Sequence, residues 1–337
     1  MKTAVLICPG RGTYTKTELG SLRGFPNPAL LADFDKRRAA KGQETLTALD
    51  SAASYTVAKH TRGDNASALI YACTLGDALS LSNVKITAVT GNSMGWYSAL
   101  ACVGALSPEN GFEVVNTMGT LMQDRLIGGQ LIYPFMDESW APNPGHKAQL
   151  LGIIAEIATR HTLALSIDLG GMLVIAGDEA GLKDFEAAVP PVQGRFPMRL
   201  ANHAAFHTAL QAPVAEAGRA RLPTTLFNQP QTPLIDGRGA IWWPGATDAR
   251  ALYDYTLGHQ VTESYDFTAA IRTAAREFAP DYFIIAGPGT TLGGATAQAL
   301  ILARWRGMAN KVDFQTLQAE NPLLISMALA EQRKLVV

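Results

Sequence analysis

The sequence predicts a two-part α/β protein: a larger domain with a mostly parallel sheet covered by helices, and a smaller ferredoxin-like α+β subdomain inserted into it. Three observations carry that prediction. Strand-like and helix-like runs alternate through residues 1–128. Residues 129–198 follow a β-α-β-β-α-β order. The alternation then resumes over 199–337, so the larger domain is expected to comprise 1–128 and 199–337.

Thr3 to Cys8 is a continuous apolar run stopped by Pro9-Gly10, the pattern of a strand buried on both faces. A glycine-rich loop, Pro9-Gly10-Arg11-Gly12-Thr13, therefore lies at the carboxyl end of the first strand, the edge where open α/β sheets bind ligands. Asn65 is placed to cap a helix reaching about residue 81, and Ser107 to start one reaching Leu126. Lys85 to Thr90 is strand-like. In the inserted segment, Gln130 to Phe135 is a strand, His146 to Arg160 an amphipathic helix, and Leu163–Asp168 with Met172–Ala176 a hairpin. Leu182 to Val189 is helical and Phe196 to Leu200 a last strand. Beyond it come a helix near 208–220, a short strand at 233–236 and a helix at 266–278. A strand from Tyr282 to Ala286 ends in Gly287-Pro288-Gly289, a helix runs to about Arg306, and residues 313–332 look helical.

Composition narrows the function classes. Apolar residues make up 47% and charged residues 17%, which is globular rather than disordered. A formal charge of −1 gives no electrostatic footprint for nucleic acid. No apolar stretch approaches the ~20 residues of a membrane span, and Thr3–Cys8 is too short for a signal core. Cys8, Cys73 and Cys102 sit in apolar runs without paired spacing, as expected of buried thiols in a cytoplasmic protein.

The most informative segment is Gly91-Asn92-Ser93-Met94-Gly95, a G-x-S-x-G turn between a strand and a helix-like run from Trp96 to Val103. A serine on such a turn projects its hydroxyl from the sheet edge, and the backbone N–H of the next residue, Met94, faces an oxyanion formed at the serine's target. Serine needs a base, and histidine is the usual one. His60 lies in a charged stretch and reads as solvated; His146 and His161 bracket the inserted helix. His203 and His207 remain, four apart, without the glutamate of a zinc-binding H-E-x-x-H helix or an evident third ligand. Residue types alone do not choose between them.

Taken together these segments resemble the malonyl-CoA:acyl-carrier-protein transacylase family. Cys8-Pro9-Gly10-Arg11-Gly12 resembles its F-P-G-Q-G loop, and Gly91 to Leu100 its G-H-S-L-G-E-Y-S-A-L. Met122-Gln123, Val174-Ile175-Ala176-Gly177, Phe206-His207 through Pro213, and Gly287-Pro288-Gly289 match later family motifs in the same order. The resemblance implies a large α/β-hydrolase-like domain with a parallel sheet plus the ferredoxin-like insertion. It implies Ser93 as nucleophile, His207 as its base held by a main-chain carbonyl, and an oxyanion hole of the Arg11 and Met94 N–H groups. It also implies acyl-CoA as substrate rather than bound cofactor, an acyl carrier protein as partner, and a ping-pong transfer in fatty acid or polyketide synthesis. No metal, nucleic acid or membrane is implied.

The substrate motif departs from the family. Where malonyl-selective members have an arginine for the substrate's carboxylate, this chain has Met118; the histidine before the nucleophile is Asn92, the loop glutamine is Arg11, and Trp96 replaces a glutamate. Gly10, Asn92, Met118 and Arg125 are the expected substrate-binding residues. An apolar floor at Met118 favours an uncharged acyl group. Alternatively a relocated arginine restores carboxylate binding: Arg11, or Arg125, seven residues and so two turns beyond Met118. Two other readings use the same residues: a thioesterase in which water is the second acceptor, and an inert paralogue that only binds carrier. Arg195, Arg199, Arg219 and Arg221 could receive an acidic carrier protein.

Overall fold

Two sheets organise the chain in the computed structural model, which describes residues 1–337. The first has six strands in the order β11-β10-β1-β2-β7-β8. Its central strands are β1 (Lys2–Cys8) and β2 (Val84–Gly91), paired in parallel with each other, β1 also with β10 (Tyr282–Ile285) and β2 with β7 (Leu234–Ile235). At the edges, β11 (Leu324–Ser326) adds parallel to β10, and β8 (Ile241–Trp242) turns back antiparallel on β7. Ala4 to Cys8 are fully buried, because helices cover both faces of a parallel sheet.

Why the sheet's carboxyl edge becomes the site follows from its covering helices. The helix Gly63–Ser80 is buried around most of its circumference, with Ala66, Ala68, Ala72 and Gly76 letting it lie close to its neighbours. The helix Pro108–Asp124, capped by the Ser107 hydroxyl on Asn110 N (3.2 Å), packs beside it. The short helix Gly95–Cys102 leaves directly from the turn after β2.

The second sheet has the order β6-β3-β5-β4-β9. β3 (Gly129–Pro134), β4 (Leu163–Leu169), β5 (Met172–Gly177) and β6 (Met198–Arg199) pair antiparallel. The helices Pro144–Ile157 and Glu179–Ala188 bury Leu150, Ile154, Ile157, Leu182 and Phe185 against one face. One strand comes from outside the inserted segment: β9 (Tyr265–Asp266) pairs parallel with β4. The β4–β5 turn is tied down as well, with Gly170 N donating to Thr268 Oγ1 (2.9 Å) and Gly171 N to Gln298 Oε1 (3.1 Å).

The mixed α/β class with a parallel sheet and a ferredoxin-like second sheet is as expected. Several local readings are corrected. Residues 313–332 are not one helix: a helix Lys311–Glu320 gives way at Asn321-Pro322 to β11, then to a short helix Ala330–Arg333. Proline disfavours helix in the residue before it, and Leu323-Leu324-Ile325 is a strand-like run. Asn65 is not a cap: the helix starts at Gly63, and the Asn65 side chain accepts from buried Arg38 (2.6 Å) and donates to Lys59 O (3.0 Å). His60 is buried rather than solvated, its ring stacked on Tyr55 at 4.8 Å. No helix is long and apolar enough to cross a membrane.

Candidate active site

Ser93 sits where β2 turns into the helix Gly95–Cys102, in a left-handed conformation with φ 55°. A non-glycine residue there is strained, and the neighbouring glycines make the turn possible. A Cβ at Gly95 would lie 2.1 Å from Cys8 O, and one at Gly91 would lie 2.4 Å from Gly95 O. The turn is thus pressed against the end of β1, beside the loop that carries Gly10 and Arg11. Tyr265 O–H fixes it from below by donating to Gly91 O (2.7 Å).

His207 faces it, also at positive φ (57°) and almost fully buried. Its Nε2 is 2.7 Å from Ser93 Oγ, and its Nδ1 is 2.7 Å from the main-chain oxygen of Gln260. A carbonyl only accepts, so Nδ1 carries the proton and Nε2 presents its lone pair to the serine hydroxyl. Burial pushes the imidazolium pKa down to about 4; the Gln260 carbonyl opposes that shift and His259 adds to it. The ring is therefore neutral at pH 7, the form that takes a proton.

Gln260 follows a π-helical turn, Tyr255–His259, in a helical segment that ends at Thr262. Its carbonyl lies in a last turn, where such groups lack helical partners. Its side chain binds the same turn it serves: Nε2 donates to Ser93 O (3.1 Å) and Oε1 accepts from Tyr97 O–H (3.1 Å). Gln260 and Tyr265 are site residues that sequence reasoning missed, since neither lies in a motif and each is far from Ser93 in the chain.

Two cavities meet at Ser93, and Arg11 and Phe206 border both. The smaller, about 20 Å³, is closed by Met94, Tyr97, Met122, His207, Gln260 and Val261. The larger, about 330 Å³, is walled by Gly10–Thr13, Asn92 and His203 and by apolar residues of the second sheet, among them Ile132, Ile167, Met172 and Val174. The backbone N–H groups of Arg11 and Met94, beside Ser93, make no hydrogen bond within the protein.

The polar atoms of the larger cavity are unevenly satisfied. Arg11 donates from Nη2 to Thr61 O (2.7 Å) and Asn202 O (2.8 Å) and lies 5.4 Å over the Phe206 ring. Its Nε is closed off from solvent without an acceptor, as is Asn92 Oδ1 without a donor. Burial lowers the Arg11 pKa to about 10, against a smaller opposing pull from Asp64. His203 Nδ1 donates to Gln130 Oε1 (2.8 Å), whose amide reaches Ser166 Oγ (2.6 Å), which in turn donates to Phe206 O (2.8 Å). Burial, then the Arg11 charge, holds His203 well below the usual imidazole range. The two histidines thus serve different partners, and the chain between them is a turn rather than a zinc-type helix.

Two expected substrate-binding residues lie elsewhere. Met118 is fully buried, and its Sδ would sit 2.7 Å from a Cβ at Gly218. Arg125, at the frayed end of the same helix, donates to Pro213 O (3.0 Å) and is exposed. The two do share a helix face, as their spacing predicted, but that face packs on the helix Ala212–Arg221. Met122, one turn on, is the residue that reaches the smaller cavity. Trp96 is core as well, donating to Thr256 Oγ1 (3.0 Å). Gly10, Arg11, Asn92, Ser93, Met94 and His207 all border one cavity or both.

No family model matches the sequence. The chain is 24% identical over 212 residues to the malonyl CoA-acyl carrier protein transacylase of Salmonella typhimurium, an alignment covering 62% of this chain and 64% of that protein. The match thus spans somewhat under two thirds of that relative's length. The fold matches the crystal structure of the malonyl-CoA:acyl carrier protein transacylase of Xanthomonas oryzae with a TM-score of 0.75 at 19% identity, over 99% of this chain and 97% of that one. A malonyl-transacylase solved in complex with its type II polyketide-synthase acyl-carrier protein matches with a TM-score of 0.76 at 18% identity, over 100% and 99% of the two chains.

Proposed function

We propose that this divergent relative of the malonyl-CoA:acyl-carrier-protein transacylases moves an acyl group from CoA to the phosphopantetheine thiol of an acyl carrier protein, through an acyl-Ser93 intermediate. The observation that carries the reading is the chain Ser93 Oγ, His207 Nε2, His207 Nδ1, Gln260 O, with both links at 2.7 Å. Fixed tautomer, neutral base and a hydroxyl bordering both cavities converge on one nucleophile.

His207 takes the hydroxyl proton as Ser93 Oγ bonds to the thioester carbon. The carbonyl oxygen, now negative, faces the free N–H groups of Arg11 and Met94. Collapse breaks the C–S bond, and His207 returns its proton to the CoA thiolate. In the second half the carrier's thiol gives its proton to His207 and attacks the acyl-serine; the C–O bond breaks and Ser93 regains its proton. The Gln260 carbonyl holds the ring and stabilises its transient charge, the part a carboxylate plays in a Ser-His-Asp triad. The carrier as acceptor is supported by the relatives' names and by the neighbour solved with its carrier protein. The unpaired cysteines suit a cytoplasmic, reducing setting.

Incubation with a radiolabelled acyl-CoA, with and without holo carrier protein, tests the transfer. Label should accumulate on Ser93 alone and pass to carrier when it is added. Turnover that proceeds equally well without carrier would make the protein a thioesterase, and the absence of any adduct would make it an inert carrier-binding relative.

A further inference from the structure

The Arg11 guanidinium is a charged group bordering Ser93 that the protein satisfies only in part. No carboxylate lies in ion-pair reach; Asp64 acts only at longer range. Two of its N–H donors go to Thr61 O and Asn202 O, while Nε is enclosed without an acceptor and Nη1 makes no bond within the protein. A buried charge without a counterion is costly unless a ligand supplies one. The Phe206 face under the guanidinium and the two carbonyls on Nη2 fix its plane, so the remaining donors point in a set direction. The loop bearing Arg11 abuts the nucleophile: a Cβ at Gly10 would lie 3.4 Å from Ser93 Cβ.

The smaller cavity on the other side of Ser93 brings no cationic side chain besides Arg11 itself, His207 being neutral. About 20 Å³ there is closed by Met94, Tyr97, Met122 and Val261, and Met118 lies behind, against Gly218. Arg195, the other arginine on the larger cavity, is exposed over Phe196 and does not border the smaller cavity.

We propose that Arg11 is the specificity-determining residue of this site, and that its guanidinium takes the free carboxylate of a dicarboxylic acyl group carried as a thioester. The carboxylate is thus read from the glycine loop on the larger-cavity side, not from the helix that carries Met118. This rests on the acyl-Ser93 reading and reverses the uncharged acyl group that Met118 alone suggested. The free Nη1 donors gain a charge-assisted partner, and the largely buried cation gains its counterion.

The test is a competition. The unmutated protein is offered malonyl-CoA and succinyl-CoA against acetyl-CoA and propionyl-CoA, and acyl-enzyme is followed by intact mass. Carboxylated acyl groups should load about 100-fold faster, the weight of a charge-assisted pair. In Arg11→Gln the ratio of carboxylated to uncharged loading should fall by a similar factor. Faster loading of acetyl or propionyl by the unmutated protein overturns the proposal without needing the variant to fold. An equal loss for both classes in Arg11→Gln also overturns it, by assigning the guanidinium to the shared oxyanion. No adduct with any acyl-CoA would sink the acyl-Ser93 reading, and the proposal with it.

Discussion

The two sides of Ser93 are built on opposite principles. On the His207 side the side chains that hold the nucleophile are paired: Tyr97 to Gln260, Gln260 to Ser93 and His207, Tyr265 to Gly91. What space remains is about 20 Å³. On the glycine-loop side the cavity is about 330 Å³, and Arg11 Nε and Asn92 Oδ1 are enclosed without partners. Buried polar groups are normally satisfied, so paired groups mark where the protein holds itself and unpaired ones mark where it awaits something else. In the proposed function, chemistry common to all substrates belongs to the first side, and choice among substrates to the second.

The sharpest way to break this division is at the paired side. Ser93→Ala should abolish acyl-enzyme formation, with turnover reduced about 10⁴-fold or more, and adding His207→Ala should cost little further, because the two act as one unit. Steady-state rates of the single and double variants decide it. Additive losses would mean that Ser93 and His207 do not share a proton.

The next prediction concerns what lies outside both cavities. Met118→Arg places the family's arginine in this chain, but the position is buried against Gly218 on the helix Ala212–Arg221. A charge there has no partner and should cost about 3 kcal/mol or more of stability, read as a lowered melting temperature, with no gain in loading of carboxylated acyl groups. A stable variant with raised malonyl loading would return Met118 to the substrate site and weaken the assignment of Arg11.

How much of this was legible in the sequence depends on the range of the interactions. The turn at Gly91–Gly95, the loop at Gly10–Thr13 and the hairpin over Leu163–Ala176 are local, set by glycine placement and apolar runs, and they stand where the sequence puts them. The partner of His207 is not local. Gln260 is 53 residues further on, and its role comes from a main-chain atom that any residue type has, so no side-chain pattern announces it. β9, with two residues, has no periodicity to read, and exists because Tyr265 and Asp266 lie beside Ile167 and Asp168. Met118 fails for a different reason. Helical spacing tells which residues share a face, as Met118 and Arg125 do, but not what that face meets.

The smallest expected effect sharpens the paired side by titrating it. His207 is held to about 4, against 6.5 for a free imidazole, chiefly because it is buried. Loading needs its neutral form, so kcat/KM for acyl-CoA should be level from about pH 5 upward through neutrality and fall about tenfold per unit below pH 4. A fall that begins near 6.5 would mean the ring is solvated when substrate binds, and the closed side of the site would then be open. Stability follows the same group with its own window. The unfolded chain binds this proton at about 6.5 and the folded one only near 4, so the contribution is complete above 6.5 and is lost as pH falls from there toward 4. His203 shifts in the same direction. His207→Gln, which cannot titrate, should flatten the dependence of melting temperature on pH across that window while leaving the His203 share. A slope that the variant does not change would locate the proton uptake elsewhere and leave the neutral, buried base without support.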